Sequence, residues 1–496
     1  MSGRINSPDT ELDQRLRELL DRPTPPSFMV TAGAGSGKTT SLVKALAHLD
    51  ATRGSVLSRT NQRIACITYT VVAAAEIREE INRNPLFHIS TIHSFLWTLV
   101  RPFMRDVQTW VASRIDAKVA DYREHNAKPG TREATRQKNN IEIESLLADK
   151  VAVHDVTHFT YGTGSRYGSG ILGHDDIIKM VPEFILEKPL LRQLVGQQYP
   201  FIFVDESQDT APAVVDALKA IAADESSPTC LGFFGDPMQQ IYATGSGSIP
   251  MEPGWESIPK PENFRCPTAV LNVINSIRQD ADEALVQIGG RRDPVNGGHI
   301  KGSASLFVLS SEGDRDLQLR EVRSWLAIAT GEPEWERDDA DGGVRVLVIE
   351  HRLAARRLGF ENIFEAHHDK STDSLKAAFP EGTAWPVLPF VTYLVPLAAA
   401  VADDAKYAQM HLVRTYGPDV GVTNSTKPVP EHLASLAAAV VQHAHLMQGA
   451  GTTVGDVLKH ALAEGLWVPD GHYAPYASMI AGMSPRSLPM KLSRAC

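Results

Sequence analysis

Residues 32–39 read Ala-Gly-Ala-Gly-Ser-Gly-Lys-Thr, between a short apolar run, Ser27–Thr31, and a helical pattern that begins at Lys38. No other feature constrains the fold as tightly. A glycine-rich crossing from a buried strand to a helix start needs backbone angles with positive φ, which glycine adopts without steric cost. Such a loop turns backbone N–H groups toward one point, and the helix that follows adds the positive end of its dipole. The result is a cradle for phosphate oxygens. A chance glycine-rich turn does not account for the full eight-residue pattern with Lys38 and Thr39 in place. In that reading Lys38 carries a mobile positive charge to the β- and γ-phosphates, and Thr39 offers a hydroxyl to Mg²⁺. The nucleotide-binding set is Ala32, Gly33, Ala34, Gly35, Ser36, Gly37, Lys38, Thr39 and Thr40.

A second segment, Asp205-Glu206-Ser207-Gln208-Asp209-Thr210, follows the apolar run Phe201–Val204. Asp205 is placed to hold Mg²⁺ through water, and Glu206 to orient and deprotonate an attacking water. A solvated acidic turn is the plainer alternative. It loses because the pair follows a buried strand downstream of a phosphate loop. Ile64–Thr70 and Cys230–Phe234 read as further strands, and Lys38–His48 and Val72–Asn82 as helices. Strands alternating with helices indicate an α/β fold with a parallel sheet covered on both faces. The motif residues fall at the carboxyl ends of strands, where such sheets bind ligands.

The 496 residues allow about three or four domains. A hydrophobic content of 43% fits ordinary globular cores, and a net charge of −10 gives no global basic field. DNA binding needs only a local basic groove, so that balance does not exclude it. Cys66, Cys230, Cys266 and Cys496 lack metal-ligand spacing and read as small hydrophobes in a reducing cytoplasm. The N-terminus has no apolar core for a signal peptide. The greasiest stretch, Trp385–Ala402, carries Pro386, Pro389 and Pro396 and reads as buried helix and turn, not as a membrane span. The expectation is a cytoplasmic protein with no membrane partner.

Between Phe95 and Val195 the pattern changes. Arg101–Val151 is charged and helical, and Tyr161–Gly173 is rich in Gly, Ser and Tyr and reads as a loop. Lys118, Arg123, Lys128, Arg132, Arg136 and Lys138 alternate with acids, which favours a solvated helix face over a phosphate-tracking stripe. His174-Asp175-Asp176 resembles a metal cluster, but no second ligand group lies at metal spacing. Asp175 or Asp176 as the cap of a helix Ile177–Glu187 is the favoured reading. A second α/β unit begins at Asn263, with strands expected near Ser305–Leu309 and Val344–Ile349, and beyond Arg352 the chain is Ala-rich and helical.

The two motifs together resemble those of superfamily 1 helicases of the UvrD/Rep type. Other pieces stand in the family's order. Ala65–Ile77, Ala-Cys-Ile-Thr-Tyr-Thr-Val-Val-Ala-Ala-Ala-Glu-Ile, is similar to a segment that contacts single-stranded DNA, with Val71-Val72 where Asn-Lys is usual. Thr91-Ile92-His93-Ser94-Phe95 matches the next segment, Gly235–Tyr242 the coupling motif, and Asn263-Phe264-Arg265 the start of the fourth motif. The resemblance covers about residues 14–270 and continues weakly to about Leu358. It implies a RecA-like P-loop domain over 1–100 and 196–262 with a mostly helical insertion over 101–195. A partial second RecA-like domain over 263–352 and a helical C-terminal region over 353–496 would follow. It implies ATP and Mg²⁺ as cofactors and single-stranded DNA, or a single/double-strand junction, as partner. Gln239 would sense the γ-phosphate or the attacking water, Arg265 would reach the γ-phosphate, and Phe264 would stack on adenine. Gln14 is open between reading the adenine edge and being a surface glutamine. Tyr69, Thr91, His93 and Tyr242 would line the DNA track, with His93 also open as a core histidine.

The chain departs from the family at two places. After Tyr242 it reads Ala243-Thr244-Gly245 where Trp-Arg-Gly is usual. Between Arg352 and Cys496 neither a His-x-x-Lys-Gly core nor a second γ-phosphate arginine is found, and Gly482–Cys496 has no helical periodicity. The expectation is a shortened or interrupted reading frame, with a partner chain supplying the missing half as the alternative. Two functions stay open: an ATP-dependent DNA helicase or translocase, and a truncated, non-motor ATP- and DNA-binding module acting with a partner such as a nuclease. An unrelated P-loop kinase does not explain Gly235–Tyr242 and Asn263–Arg265 in order.

Overall fold

A computed structural model describes residues 3–337 except 163, 243 and 282–284, and beyond them 344, 345, 347, 348, 351–368, 379, 384–417, 429–449, 451–469 and 473. The chain divides into two compact units, Met1–Val308 and Leu309–Cys496.

The first unit is built on a sheet of six parallel strands. In chain order these are β1 (Phe28–Ala32), β2 (Ile64–Thr68), β3 (Phe87–Thr91), β6 (Phe201–Asp205), β7 (Cys230–Gly235) and β8 (Glu256–Lys260). Among the described residues two short pairs complete the strand set, β4 (Thr160–Tyr161) with β5 (Ile171–Leu172) and β9 (Glu262–Asn263) with β10 (Ile288–Gly289). The order across the sheet is β3-β2-β6-β7-β1-β8. All residues of β2, β6 and β7 are buried, as expected of strands with helices on both faces. One face is covered by α1 (Glu11–Leu20), α2 (Lys38–Arg59) and α3 (Val71–Glu80) through Leu16, Leu46 and Ile77. The other lies under α4 (Ile92–Val100), α5 (Met104–Ala127), α7 (His174–Glu187), α8 (Pro189–Gln198) and α9 (Pro212–Ala222) through Phe95, Ile177, Val195 and Val214. On the first face Phe28, Phe203 and Phe234 meet edge to face at centroid distances of 5.7, 5.7 and 5.9 Å. Gly232 leaves room for them: a Cβ there would stand 2.4 Å from the Phe28 ring.

The charged stretch after α4 forms a helical hairpin, α5 with α6 (Glu133–Val153). Lys118 lies against the Tyr167 ring and Lys128 pairs with Glu124, which accounts for part of its charge. The helix after the Gly-rich loop starts earlier than its sequence pattern implied, at His174, with Gly173 as N-cap. Asp176 is the third helical residue, not the cap. Its carboxylate accepts the Gly173 N–H at 3.2 Å, the Tyr167 hydroxyl at 2.8 Å and the Ser165 hydroxyl. Among the described residues no group of three His, Cys, Asp or Glu is placed to hold a metal ion. Cys66 and Cys230 are buried in β2 and β7 without a disulfide, and burial pushes the Cys230 thiol up to about 12.

The strand expected near Ser305–Leu309 does not form. Leu306 and Val308 are each 92% exposed, and no strand pairs with this segment among the described residues. A parallel strand without a partner leaves its backbone groups to water and gains nothing over an irregular path. Val344, Arg345, Leu347 and Val348 are also irregular, and residues 346 and 349 lie outside the described set.

The second unit is helical. Tyr393, Leu394, Leu397, Val440, Val457 and Trp467 form its core, with buried His443 hydrogen-bonded to the Leu394 carbonyl at 2.9 Å. The proline-bearing stretch ends in helix Val395–Ala402, preceded by a π-helical turn over Phe390–Leu394. Among the described residues no helix is long and apolar enough to cross a membrane. Cys496 and the tail Gly482–Cys496 lie outside the described residues.

Candidate functional site

The site grows from the adjacency of β6, β7 and β1, whose carboxyl ends present Asp205, Gly235-Asp236 and the glycine loop side by side. Gly35 and Gly37 take φ of 78° and 81°, and Gly37 is the residue that opens α2. A Cβ on Gly35 would stand 2.7 Å from the Cβ of Arg265, so this position is closed to larger residues by contact as well as by φ. Lys38 is buried; its ammonium donates to Glu206 Oε2 at 2.6 Å and lies 3.7 Å from Asp205 Oδ1. Thr39 and Thr40 follow on the first turn of α2.

Asp205 ends β6 fully enclosed. Burial raises its carboxyl above the usual carboxylate range, opposed by the Lys38 ammonium. Glu206, next in sequence, has φ 51° and ψ 44°, a left-handed conformation that costs a non-glycine residue about 1 kcal/mol or more. That twist places the buried Asp205 and the part-exposed Glu206 on either side of one cation. The Asp205 side chain holds the turn by accepting the Glu206 N–H at 3.0 Å. These groups suit an Mg²⁺–triphosphate: one buried carboxylate, one accessible carboxylate, a threonine hydroxyl and a lysine at the mouth of a positive-φ loop.

The rest of the acidic segment ties this corner to a distant aromatic pair. Gln208 donates to Glu206 Oε2 at 2.8 Å and accepts the Asp236 N–H at 3.1 Å. Asp209 Oδ1 accepts the N–H groups of Ile241 and Tyr242 at 3.0 and 3.1 Å. Tyr242 stacks on Tyr69, with centroids 4.7 Å apart and planes 24° from parallel. Two of the four expected DNA-track residues are therefore in contact. The other two have separate settings. The Thr91 hydroxyl caps α4 and donates to the Ser94 hydroxyl at 3.0 Å. His93 lies between Tyr161 and His174 of the insertion, at centroid distances of 6.3 and 4.6 Å, and burial lowers its pKa to about 4.

Gln239 donates to Asp236 Oδ2 at 2.8 Å. Asp236 is buried and also paired with Arg278 of α10 (Thr268–Ala281). Asn263, read from sequence only as the start of a motif, joins the two walls of the site. Its amide donates to the Ala34 carbonyl at 2.8 Å, and its Oδ1 accepts the N–H groups of Arg265 and Cys266. The Phe264 N–H donates to the Gly35 carbonyl at 2.9 Å, leaving its ring 57% exposed. Gln287 adds a further bond to the Ala34 carbonyl and would collide with any Cβ on Gly33.

These contacts bound a cleft of about 820 Å³ lined by Gly35–Gly37, Thr40, Phe264 and Arg265, with Arg291 and Arg292 at its edge. Gln14 is exposed and is not among the lining residues. The α1 side of the cleft is formed instead by Asp9, Thr10 and Asp13, held by two buried lysines. Lys44 bonds Asp13 at 2.9 Å and Asp9 at 3.1 Å, and Lys260 bonds the Thr10 hydroxyl at 2.8 Å. Burial lowers the Lys260 ammonium from its ordinary value. Sequence reasoning missed this cluster because Lys260 is 250 residues from Thr10 and sits in no motif.

Comparison with known proteins agrees with this geometry. The family described as AAA domain matches residues 21–245. The chain is 24% identical over 420 residues to Gabija protein GajB of Bacillus cereus, covering 71% of this chain and 58% of that one. It is 25% identical over 343 residues to ATP-dependent DNA helicase UvrD1 of Mycobacterium leprae, covering 58% and 42% respectively. It is 26% identical over 325 residues to DNA helicase II of Haemophilus influenzae, covering 57% and 43%. The chain spans about half the length of the curated relatives it matches. With the phosphate loop and the Asp205-Glu206 corner at the strand ends of one parallel sheet, the chain is similar to UvrD/Rep-type superfamily 1 helicases over the residues matched.

Proposed function

We propose that this protein is an ATP-dependent DNA helicase or translocase, hydrolysing ATP with Mg²⁺ and coupling the reaction to single-stranded DNA. The observation that carries the reading is the bonded chain from Glu206 through Gln208 and Asp209 to Tyr242, stacked on Tyr69. It links a catalytic carboxylate to an aromatic surface of the kind on which bases stack.

The residues divide the work as follows. The glycine loop and Lys38 bind the triphosphate; to do so Lys38 leaves its bond with Glu206. Thr39 and Asp205 would hold Mg²⁺, which supplies charge neutralisation to the phosphates. Glu206, released from Lys38, orients the attacking water and takes its proton. Arg265 meets the negative charge on the transferring phosphoryl group, and Phe264 offers an exposed ring to the base. Gln239 and Gln208 register these events at Asp236 and pass them to the 241–247 segment that carries Tyr242.

The test is Mg²⁺-dependent ATP hydrolysis by the purified chain, with and without single-stranded DNA. Hydrolysis that rises several-fold with DNA supports the reading; none, or hydrolysis indifferent to DNA, defeats it. A second reading is a non-motor ATP- and DNA-binding module that works with a partner such as a nuclease. It is favoured by Ala243-Thr244 standing where the family places tryptophan and arginine, since that tryptophan would stack on a base. Strand displacement separates the two: robust unwinding by this chain removes the second.

A further inference from the structure

The cleft beside the glycine loop carries more positive charge than the family motifs in this chain explain. Besides Arg265 it is lined by Arg291 and Arg292. The neighbouring buried cations are each matched by a carboxylate or hydroxyl: Lys38 by Glu206, Lys44 by Asp13, Lys260 by Thr10 and Arg278 by Asp236. The guanidinium groups of Arg265, Arg291 and Arg292 have no carboxylate or carbonyl partner among the described residues. In a chain of net charge −10, three unmatched guanidinium groups around one cleft mark a site for an anion carrying several charges.

The backbone explains why these two arginines are there. β10 ends in Gly289 and is followed by Gly290, with φ of 91° and 127°, angles that side-chain-bearing residues rarely adopt. This turn swings the chain back over the motif that holds Arg265. The Gly290 N–H bonds the Asn263 carbonyl and the Arg291 N–H bonds the Cys266 carbonyl, both at 2.8 Å, while the Arg291 carbonyl accepts the Ile300 N–H at 2.9 Å. Asn263 is itself bonded to the Ala34 carbonyl of the phosphate loop. Arg291 and Arg292 are thus pegged, through two residues of backbone, to the loop that would cradle the phosphates.

We propose that Arg291 and Arg292 form a second cationic arm that contacts the triphosphate of the bound nucleotide and adds its guanidinium charge to that of Arg265. This rests on the ATP-binding reading above. The arm comes from the turn after β10 and belongs to no motif recognised in the sequence.

The test uses the full 496-residue chain and calorimetric titration with Mg·ATP and Mg·ADP at two salt concentrations. The variants are R291Q/R292Q and the charge-keeping R291K/R292K. The glutamine pair is expected to weaken ATP about tenfold or more and ADP by less, and to flatten the salt dependence of ATP binding. The lysine pair is expected to recover most of the loss. Both arginines are exposed, so melting temperature should not move. If the glutamine pair does melt early, R291Q and R292Q singly are read in the same way. ATP affinity and salt dependence equal to those of the parent chain overturn the arm while leaving the ATP site standing. A parent chain that binds no ATP overturns the nucleotide reading, and the arm with it.

Discussion

Lys38, Asp205 and Glu206 occupy one corner in which the cation is shared unequally, at 2.6 Å from the part-exposed Glu206 and 3.7 Å from the buried Asp205. Lys38→Ala removes the charge proposed to bind phosphate, and Glu206→Gln removes the proposed proton acceptor while keeping the shape. Each is expected to lower ATP turnover at least a hundredfold with little change in melting temperature, and undiminished hydrolysis in both would remove the site assignment. Asp205→Asn has a less obvious expectation. Burial raises this carboxyl, so its ionised form is disfavoured by folding. The stability it contributes is present below the ordinary carboxylate pKa and lost as pH rises through the raised one. At neutral pH the asparagine variant should therefore melt at or above the parent temperature while losing Mg²⁺-dependent turnover; a lower melting temperature contradicts this. His93 behaves in the opposite sense. Its pKa falls from 6.5 to about 4, so only the unfolded chain takes up a proton between those values and stability falls as pH is lowered through that window. The effect reaches at most about 3 kcal/mol. Unfolding of His93→Gln, followed from pH 7 to pH 4, should show a shallower loss than the parent.

At the scale of elements, the turn after β6 does two jobs. Its first residues face the phosphate loop, and its last, Asp209, fixes the backbone that carries Tyr242. Asp209→Asn keeps an oxygen for those N–H groups but weakens both bonds. It is expected to retain basal hydrolysis and lose several-fold in stimulation by DNA, measured in one ATPase titration. The Tyr69–Tyr242 stack makes a second expectation. Each ring replaced by alanine should weaken single-strand binding by about 1–3 kcal/mol. The double replacement should cost less than the sum, because the rings touch. Strict additivity would show that they do not act as one platform. Val71, Val72 and Ile241, which stand next to the pair in sequence, are exposed apolar side chains.

On the scale of the molecule, the net charge of −10 and the uncharged track residues point to binding dominated by stacking. The salt slope for single-stranded DNA should be shallow, about −2 or less in magnitude on a log–log plot. A steep slope would place the main contact on a basic surface elsewhere. The sequence by itself determined what rests on local chemistry. Apolar runs that alternate with helical patterns favour a parallel sheet covered on both faces. A glycine loop before a helix, and an acidic pair after a strand, announce their chemistry from adjacent residues. Thus β1, β2, β6 and β7 and the Lys38–Asp205–Glu206 corner were legible in the chain. The sequence offers Asp175 or Asp176 as the cap; Asp176 instead binds the Gly173 N–H from the third helical position, because its other partners, Tyr167 and Ser165, lie on a loop whose path no periodicity encodes. The strand near Ser305–Leu309 was expected from its apolar content, but a strand exists only where another offers a ladder. Only the tertiary structure decided that Asn263 and Gln287 bind the phosphate loop, that Lys44 and Lys260 meet Asp13 and Thr10, and that Arg291 and Arg292 border the cleft. Each of these contacts joins residues far apart in the chain. Their pairing is fixed by how α1 and the β9–β10 pair meet the strand ends of the six-stranded sheet, and no local pattern records that distance.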